Sequence, residues 1–131
     1  MKKDITNRED IDLLMKSFYE KLLADKSISY IFTDVAKIDI HEHLPVIGNF
    51  WESILLNKNV YHNNAMKVHT DLNSKSPLLK EHFDTWLKHF MQSVDELFEG
   101  NIALVAKQRA TSVATMMQIT VAQKSKNEKT P

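Results

Sequence analysis

The amino-acid sequence predicts a single all-α domain, and three observations carry this prediction. Apolar residues recur at helical spacing (i, i+3, i+4, i+7) through most of the chain. Glycine occurs only twice, at Gly48 and Gly100, which argues against a β protein rich in tight turns. No segment alternates apolar and polar residues as a half-buried strand does. The 131 residues suit one core and are too few for two comfortable ones.

The first helix is predicted to begin at a capping box, formed by Thr6 and by Glu9 three positions later. A continuous apolar stripe then follows at helical spacing: Ile11, Leu14, Met15, Phe18, Tyr19, Leu22 and Leu23. After Asp25 comes a shorter apolar group, comprising Ile28, Ile31, Phe32 and Val35. Its length predicts a short helix or turn packed under the core.

The helical period returns between His41 and Leu56. Pro45 is tolerated in the first turn of a helix, so we expect this helix to begin between His41 and Leu44. Ser76 and Pro77 then predict the start of a longer helix, with serine as N-cap and proline at the first helical position.

The final helix is predicted to open near Gly100 and Asn101. Its large apolar residues mark a less regular stripe: Ile102, Val105, Val113, Met116, Met117 and Ile119. The polar segment 123–131 has nothing to bury, so we expect a domain over residues 1–122 followed by a disordered tail.

Composition excludes several classes of function. Lys and Arg together number 17, as do Asp and Glu, and this zero net charge gives no electrostatic reason to expect nucleic acid or an anionic membrane as partner. The absence of cysteine excludes disulfides, thiolate metal sites and covalently attached haem. No segment is apolar enough for a signal peptide or a membrane span. We therefore expect a cytoplasmic protein.

Histidine is the first residue type in this sequence that points to a chemical function, since it is the commonest side-chain metal ligand. Six are present: His41, His43, His62, His69, His82 and His89. An isolated histidine is more often solvated or satisfied in the core, and no H-E-x-x-H motif supports a zinc site. Haem instead needs one strong axial ligand and an apolar, aromatic-lined cavity. Spacing alone leaves every histidine a candidate, and an aromatic stripe is more often plain core.

Three ordered stretches narrow the choice: Ile47–Leu56 with its Phe50-Trp51 pair, Asn64–His69, and His82–Phe90 with Trp86. Together with a His-Leu-Pro run at His43 and the pairs Phe18-Tyr19 and Ile31-Phe32, they resemble the bacterial truncated haemoglobins of group III. The resemblance covers about residues 11–120. It implies a globin-like, two-over-two helical sandwich around non-covalent haem b.

The resemblance also implies roles for individual residues. His69 matches the proximal histidine that ligates iron. Tyr19, His43 and Trp86 match the positions that contact the bound ligand. The remaining matched positions would line the haem pocket: Phe32, Ile47, Phe50, Trp51, Tyr61, Met66 and Phe90. Tyr61 and Lys67 are candidate partners of the haem propionates.

One departure concerns the segment after His69. The family has an apolar Leu-x-Leu-Pro run there, whereas this chain has Thr70-Asp71-Leu72-Asn73. The course of the proximal segment is therefore left open by the resemblance.

Two functions of different classes remain. The first is a haem protein that binds O₂, NO or a related small ligand, with NO dioxygenase- or peroxidase-like activity requiring an external electron donor. The second is a haem-free helical interaction or sensor module that keeps the globin shape. Non-haem metal catalysis is a weaker third hypothesis, because the sequence lacks a carboxylate-rich site.

Overall fold

The computed structural model describes residues 2–35, 39–56 and 78–128. All regular structure in these ranges is helical: α1 (Arg8–Ala24), α2 (Lys26–Tyr30), a π-helical turn (Ile31–Val35), α3 (Ile40–Leu55), α4 (Lys80–Leu97) and α5 (Asn101–Glu128). The all-α prediction is confirmed for these ranges. None of the described helices combines the length and the apolar character that crossing a bilayer requires.

The helices pack as two pairs, α1 with α3 and α4 with α5, and α1 also packs against α4. A large apolar cluster fills the space between them, and a smaller one of Phe83, Met117 and Val121 lies between α4 and α5. The largest fully buried side chains of the large cluster are Phe18, Trp51 and Phe90, each at most 2% exposed. Because α1 packs against α2, α3 and α4, its apolar stripe forms the centre of the fold.

The start of α1 differs from the prediction by one residue. Asn7, not Thr6, is the N-cap, and its side chain accepts a hydrogen bond from the Asp10 backbone N–H at 2.9 Å. Asp10 in turn accepts from the Thr6 backbone N–H at 2.8 Å and from the Lys3 ammonium at 2.6 Å. Because Thr6 is bonded to Asp10 in this way, the N-cap of α1 is the next residue, Asn7.

The segment before α1 also caps α5. The Asp4 carboxylate accepts hydrogen bonds from the backbone N–H groups of Ile102 (2.9 Å) and Ala103 (2.8 Å). Gly100 makes room for it: its φ is 148°, and a Cβ there would lie within 2.5 Å of Asp4. A glycine is therefore required where α5 begins.

Helix α3 begins earlier than predicted, at Ile40, with Asp39 as N-cap accepting from the His41 N–H at 3.0 Å. Pro45 is consequently the sixth helical residue rather than part of the first turn. Proline has no N–H, so the helical hydrogen bond to the His41 carbonyl cannot form. The first turn of α3 is thus joined to the rest of the helix by one bond fewer than usual.

Helix α4 begins at Lys80, with Leu79 as N-cap. Ser76 and Pro77, the predicted opening, lie outside the described residues, and the non-helical Leu78 and Leu79 separate them from the helix. The Leu79 N–H donates to His82 Nδ1 at 3.0 Å. A histidine side chain thus satisfies a donor at the helix start.

The buried face of α5 is made largely of alanine, which corrects the predicted stripe. Met116 and Ile119 are 52% and 46% exposed, so they are not core residues. The buried positions follow a different helical register: Ala103, Ala106, Ala110, Ala114, Met117 and Val121. Small side chains let α5 approach α4 closely. The positions of the large apolar residues in α5 therefore do not indicate which face of this helix is buried.

Helix α5 continues to Glu128, so the predicted domain boundary at residue 122 falls inside it. Lysine, glutamine and glutamate have high intrinsic helix propensity, which accounts for the continuation. The division into a domain and a tail stays a prediction.

We predict that Ala110→Leu lowers the free energy of unfolding by about 1–3 kcal/mol, because a larger side chain cannot fit this fully buried position without moving α4. Ser112→Leu adds the same side chain at an exposed position of the same helix and should change stability by less than about 0.5 kcal/mol. Urea unfolding of both variants measures the difference. Equal losses would show that the alanine face is not tightly packed.

Candidate functional site

A tyrosine and a histidine meet at the crossing of α1 and α3. The Tyr19 hydroxyl lies 2.8 Å from Nε2 of His43, which is within hydrogen-bonding distance. Their rings stand edge to face, with centroids 5.1 Å apart. Phe32, from the π-helical turn, packs edge to face against the Tyr19 ring, with ring centroids 5.8 Å apart. Three residues predicted from the resemblance are thus neighbours in space.

Burial sets the chemical state of the Tyr19 hydroxyl. The residue is 5% exposed, and burial raises the pKa of Tyr19 well above its ordinary value. The hydroxyl therefore stays protonated and can donate one hydrogen bond. A hydroxyl so enclosed needs a partner, because an unmade hydrogen bond costs about 1–3 kcal/mol.

Trp86 joins the site through Phe18. The Phe18 ring packs edge to face against three other rings, with centroid separations of 5.2 Å to Tyr19, 5.4 Å to Trp86 and 5.2 Å to Phe90. Trp86 and Tyr19 thus pack against the same buried ring, one from α4 and one from α1. Phe18 was absent from the predicted site residues. Its signals were a place in the apolar stripe of α1 and in the Phe18-Tyr19 pair of the resemblance, and neither assigns it a role in the site.

Further predicted residues extend this ring network into the core. Trp51 stacks on Phe90 with centroids 4.6 Å apart, and Phe50 contacts Trp51 at 5.4 Å. Trp51 and Phe90 are both almost fully buried. Ile47 lies one helical turn after His43 and is half-buried against the core. Their assignment to a haem pocket stays a prediction.

The predicted proximal residues cannot be placed. His69, Tyr61 and Met66 lie outside the described residues, as does Lys67. The structure therefore brings together the side chains predicted for the ligand side and leaves the iron-ligating side as a prediction.

Two other histidines fasten α4 to α2. His82 Nε2 lies 2.9 Å from the Tyr30 hydroxyl, and His89 Nε2 lies 2.7 Å from an Asp25 carboxylate oxygen. Trp86 lies between these histidines along α4. His82 uses both of its ring nitrogens in contacts within the protein, whereas Nδ1 of His89 is buried and has no hydrogen-bond partner among the described residues. Neither histidine lies in the Tyr19–His43 pair.

The described helices, with a buried tyrosine bonded to a half-buried histidine against an aromatic core, define a small globin-like protein. The group 3 truncated hemoglobin ctb of Campylobacter jejuni is 36% identical to this chain over 121 residues, covering 90% of this chain and 93% of that protein. The crystal structure of a group III truncated hemoglobin from the same species matches with a TM-score of 0.81 at 35% identity, covering 92% of this chain and 95% of that one. No family model matches the chain.

The chain therefore belongs to the group III truncated haemoglobins. The predicted family and the predicted truncated-globin fold are confirmed.

We predict a pH-dependent contribution of Asp25 to stability. Hydrogen bonds from the Ser27 side chain, the His89 ring and the Ser27 backbone lower the pKa of Asp25 to about 2. In the unfolded chain its pKa is about 3.9. A lowered folded-state pKa stabilises the fold above about pH 4, and this stabilisation is lost as the pH falls through about 2.

Asp25→Asn removes the charge but keeps a side chain suited to the N-cap of α2. The difference in unfolding free energy between wild type and this variant should shrink between pH 4 and pH 2, as measured by urea unfolding. Ser27→Ala, which removes the leading hydrogen bond, should move that window to higher pH. A difference that stays constant with pH would contradict the assignment.

Proposed function

We propose that this protein holds haem b non-covalently and binds O₂ or another small diatomic ligand reversibly beside the Tyr19–His43 pair. The observation that carries the proposal is the buried, protonated Tyr19 hydroxyl bonded to His43 in an otherwise aromatic wall. Membership of the truncated haemoglobins supports it.

The residues present fit such a group. A haem pocket needs a flat apolar lining with a few donors at the ligand position. Phe32, Ile47, Phe50 and Trp86 are only half-buried against the core, so each retains apolar surface that a flat ligand would cover. Haem, when bound, supplies an iron that carries the small ligand. We propose that His69 ligates that iron, as the match to the family's proximal histidine implies.

The tautomer of His43 decides what Tyr19 can donate. Tyr19 has one hydroxyl proton, because burial keeps the group neutral. When His43 carries its proton on Nε2, the ring donates to the tyrosine oxygen, and the hydroxyl proton is directed to a ligand. When Nε2 is unprotonated, the hydroxyl donates to the ring instead. In the first arrangement the two hydrogen bonds polarise each other and strengthen the donor.

Trp86 would supply a second donor through its indole N–H. Ligand O₂ in haem proteins carries partial negative charge, and each neutral donor contributes roughly 0.5–1.5 kcal/mol. Two donors favour slow release. Slow release suits chemistry on NO or peroxide better than O₂ delivery, and turnover of that chemistry would need an electron donor.

Our first test is haem uptake. The wild-type protein supplied with haem should show a sharp Soret band, which His69→Ala should lose or displace because the axial ligand is gone. His62→Ala, a substitution in the same stretch of sequence, should leave the spectrum unchanged. If wild type takes up no haem, the alternative of a haem-free helical module is favoured. An unchanged spectrum for His69→Ala would remove His69 from the iron.

The second test addresses the ligand side. Tyr19→Phe removes the donor and should accelerate O₂ dissociation by about 2- to 13-fold, the equivalent of 0.5–1.5 kcal/mol. Tyr30→Phe is a matched control, since it also removes a hydroxyl bonded to a histidine Nε2, but at an exposed position. Stopped-flow ligand exchange measures both. Equal rates for wild type and Tyr19→Phe would exclude Tyr19 as a ligand contact.

A further inference from the structure

Arg8 connects α1 to α3 through three hydrogen bonds. Its Nη1 donates to the Asn49 side-chain oxygen at 2.6 Å and to the Glu52 carboxylate at 3.0 Å. Its Nη2 donates to the Pro45 backbone oxygen at 3.0 Å. A fourth bond, from Nε to Asp12 at 2.8 Å, stays within α1 and fixes the direction of the guanidinium. One side chain thus holds about two turns of α3.

The three acceptors follow His43 along the same helix. The Pro45 oxygen is nearest to it, at the position where the proline removes a helical hydrogen bond. The first turn of α3, which carries His43, is therefore attached to a helix body that Arg8 restrains. Any sliding or rotation of that body against α1 would change the distance between His43 and Tyr19.

Gly48 shows how closely the guanidinium approaches α3. The residue is buried, and a Cβ at this position would lie 2.7 Å from Arg8 Nη2 and 3.0 Å from the Asp12 carboxylate. Real Cβ atoms do not approach so near, so the arginine would have to move. The absence of a side chain at Gly48 is part of the contact.

We propose that Arg8 is a positioning residue for the Tyr19–His43 pair: its guanidinium sets the register of α3 against α1 at which His43 Nε2 meets the Tyr19 hydroxyl. The geometric part of this proposal concerns only residues of the chain. Its effect on ligand release rests on the proposed function.

The first experiment detects the pair itself and needs no haem. ¹⁵N NMR of the purified full chain reports the environment of His43 Nε2. Tyr19→Phe should shift this signal, because its partner is removed, and Arg8→Met should shift it in the same direction. Arg8→Lys, with a single ammonium in place of the fork, should give an intermediate shift.

Matched controls separate positioning from general stabilisation. Asp12→Asn removes the charge of the bond within α1 but keeps an oxygen that can accept from Arg8 Nε, so it should leave the His43 signal near its wild-type position. Lys107→Met removes the Lys107–Asp95 ion pair, whose lysine side chain is 30% exposed like that of Arg8, and should also leave it unchanged. Circular dichroism confirms that each variant is folded.

Gly48→Ala displaces the guanidinium without altering Arg8. We expect it to shift the His43 signal in the same direction as Arg8→Met. If both variants leave the signal at its wild-type position while Tyr19→Phe moves it, Arg8 does not position the pair. If Tyr19→Phe does not move it either, the pair is not formed in solution, and the proposal is equally overturned.

The second experiment measures O₂ dissociation in a double-mutant cycle. Arg8→Met should accelerate O₂ release by at least about 2-fold, which corresponds to the smallest coupling energies usual between residues in contact. In the Tyr19→Phe background, the same substitution should change the release rate by less than about 2-fold. Equal acceleration in both backgrounds would mean that Arg8 acts independently of the pair. A missing Soret band in wild type would contradict the proposed function only, because the NMR result stands without it.

Discussion

A hydroxyl enclosed by aromatic rings must find a hydrogen-bond partner, and the Tyr19 hydroxyl finds His43. The two residues come from α1 and α3, so this bond ties the first turn of α3 to α1. The backbone alone does not determine the position of that turn, because Pro45 removes a helical bond just after it. The geometry of the site therefore depends on a polar contact in an apolar setting, where the alternative of no partner is costly.

The site and the core share neighbouring residues of α1. Phe18 and Tyr19 are adjacent in sequence and about 100° apart around the helix, so one ring faces Trp86 and Phe90 while the other faces His43. Close packing at Phe18 leaves α1 little freedom to rotate. The same packing that stabilises the fold thereby orients the Tyr19 hydroxyl.

Much of the fold was predictable, because the apolar stripes of α1 and α4 repeat with the helical period over several turns. The alanine face of α5 was not, since small residues carry little hydropathy signal and large ones at Met116 and Ile119 point to solvent. The Tyr19–His43 pair was predicted only through family resemblance, as no spacing links positions 24 residues apart. Arg8 and Phe18 were missed for the same reason: their roles arise where helices cross.

Apolar packing and polar contacts restrain α1 and α3 differently. Burial of apolar surface has no preferred direction, so the buried area by itself does not distinguish neighbouring registers of one helix along the other. Hydrogen bonds weaken steeply with distance and angle, so they specify a register. Arg8 and Tyr19 make such contacts to α3 from points 11 residues, or about 16 Å, apart along α1. Two directional contacts at that separation specify both the translation and the rotation of α3, in addition to the restraint that close packing of the side chains supplies.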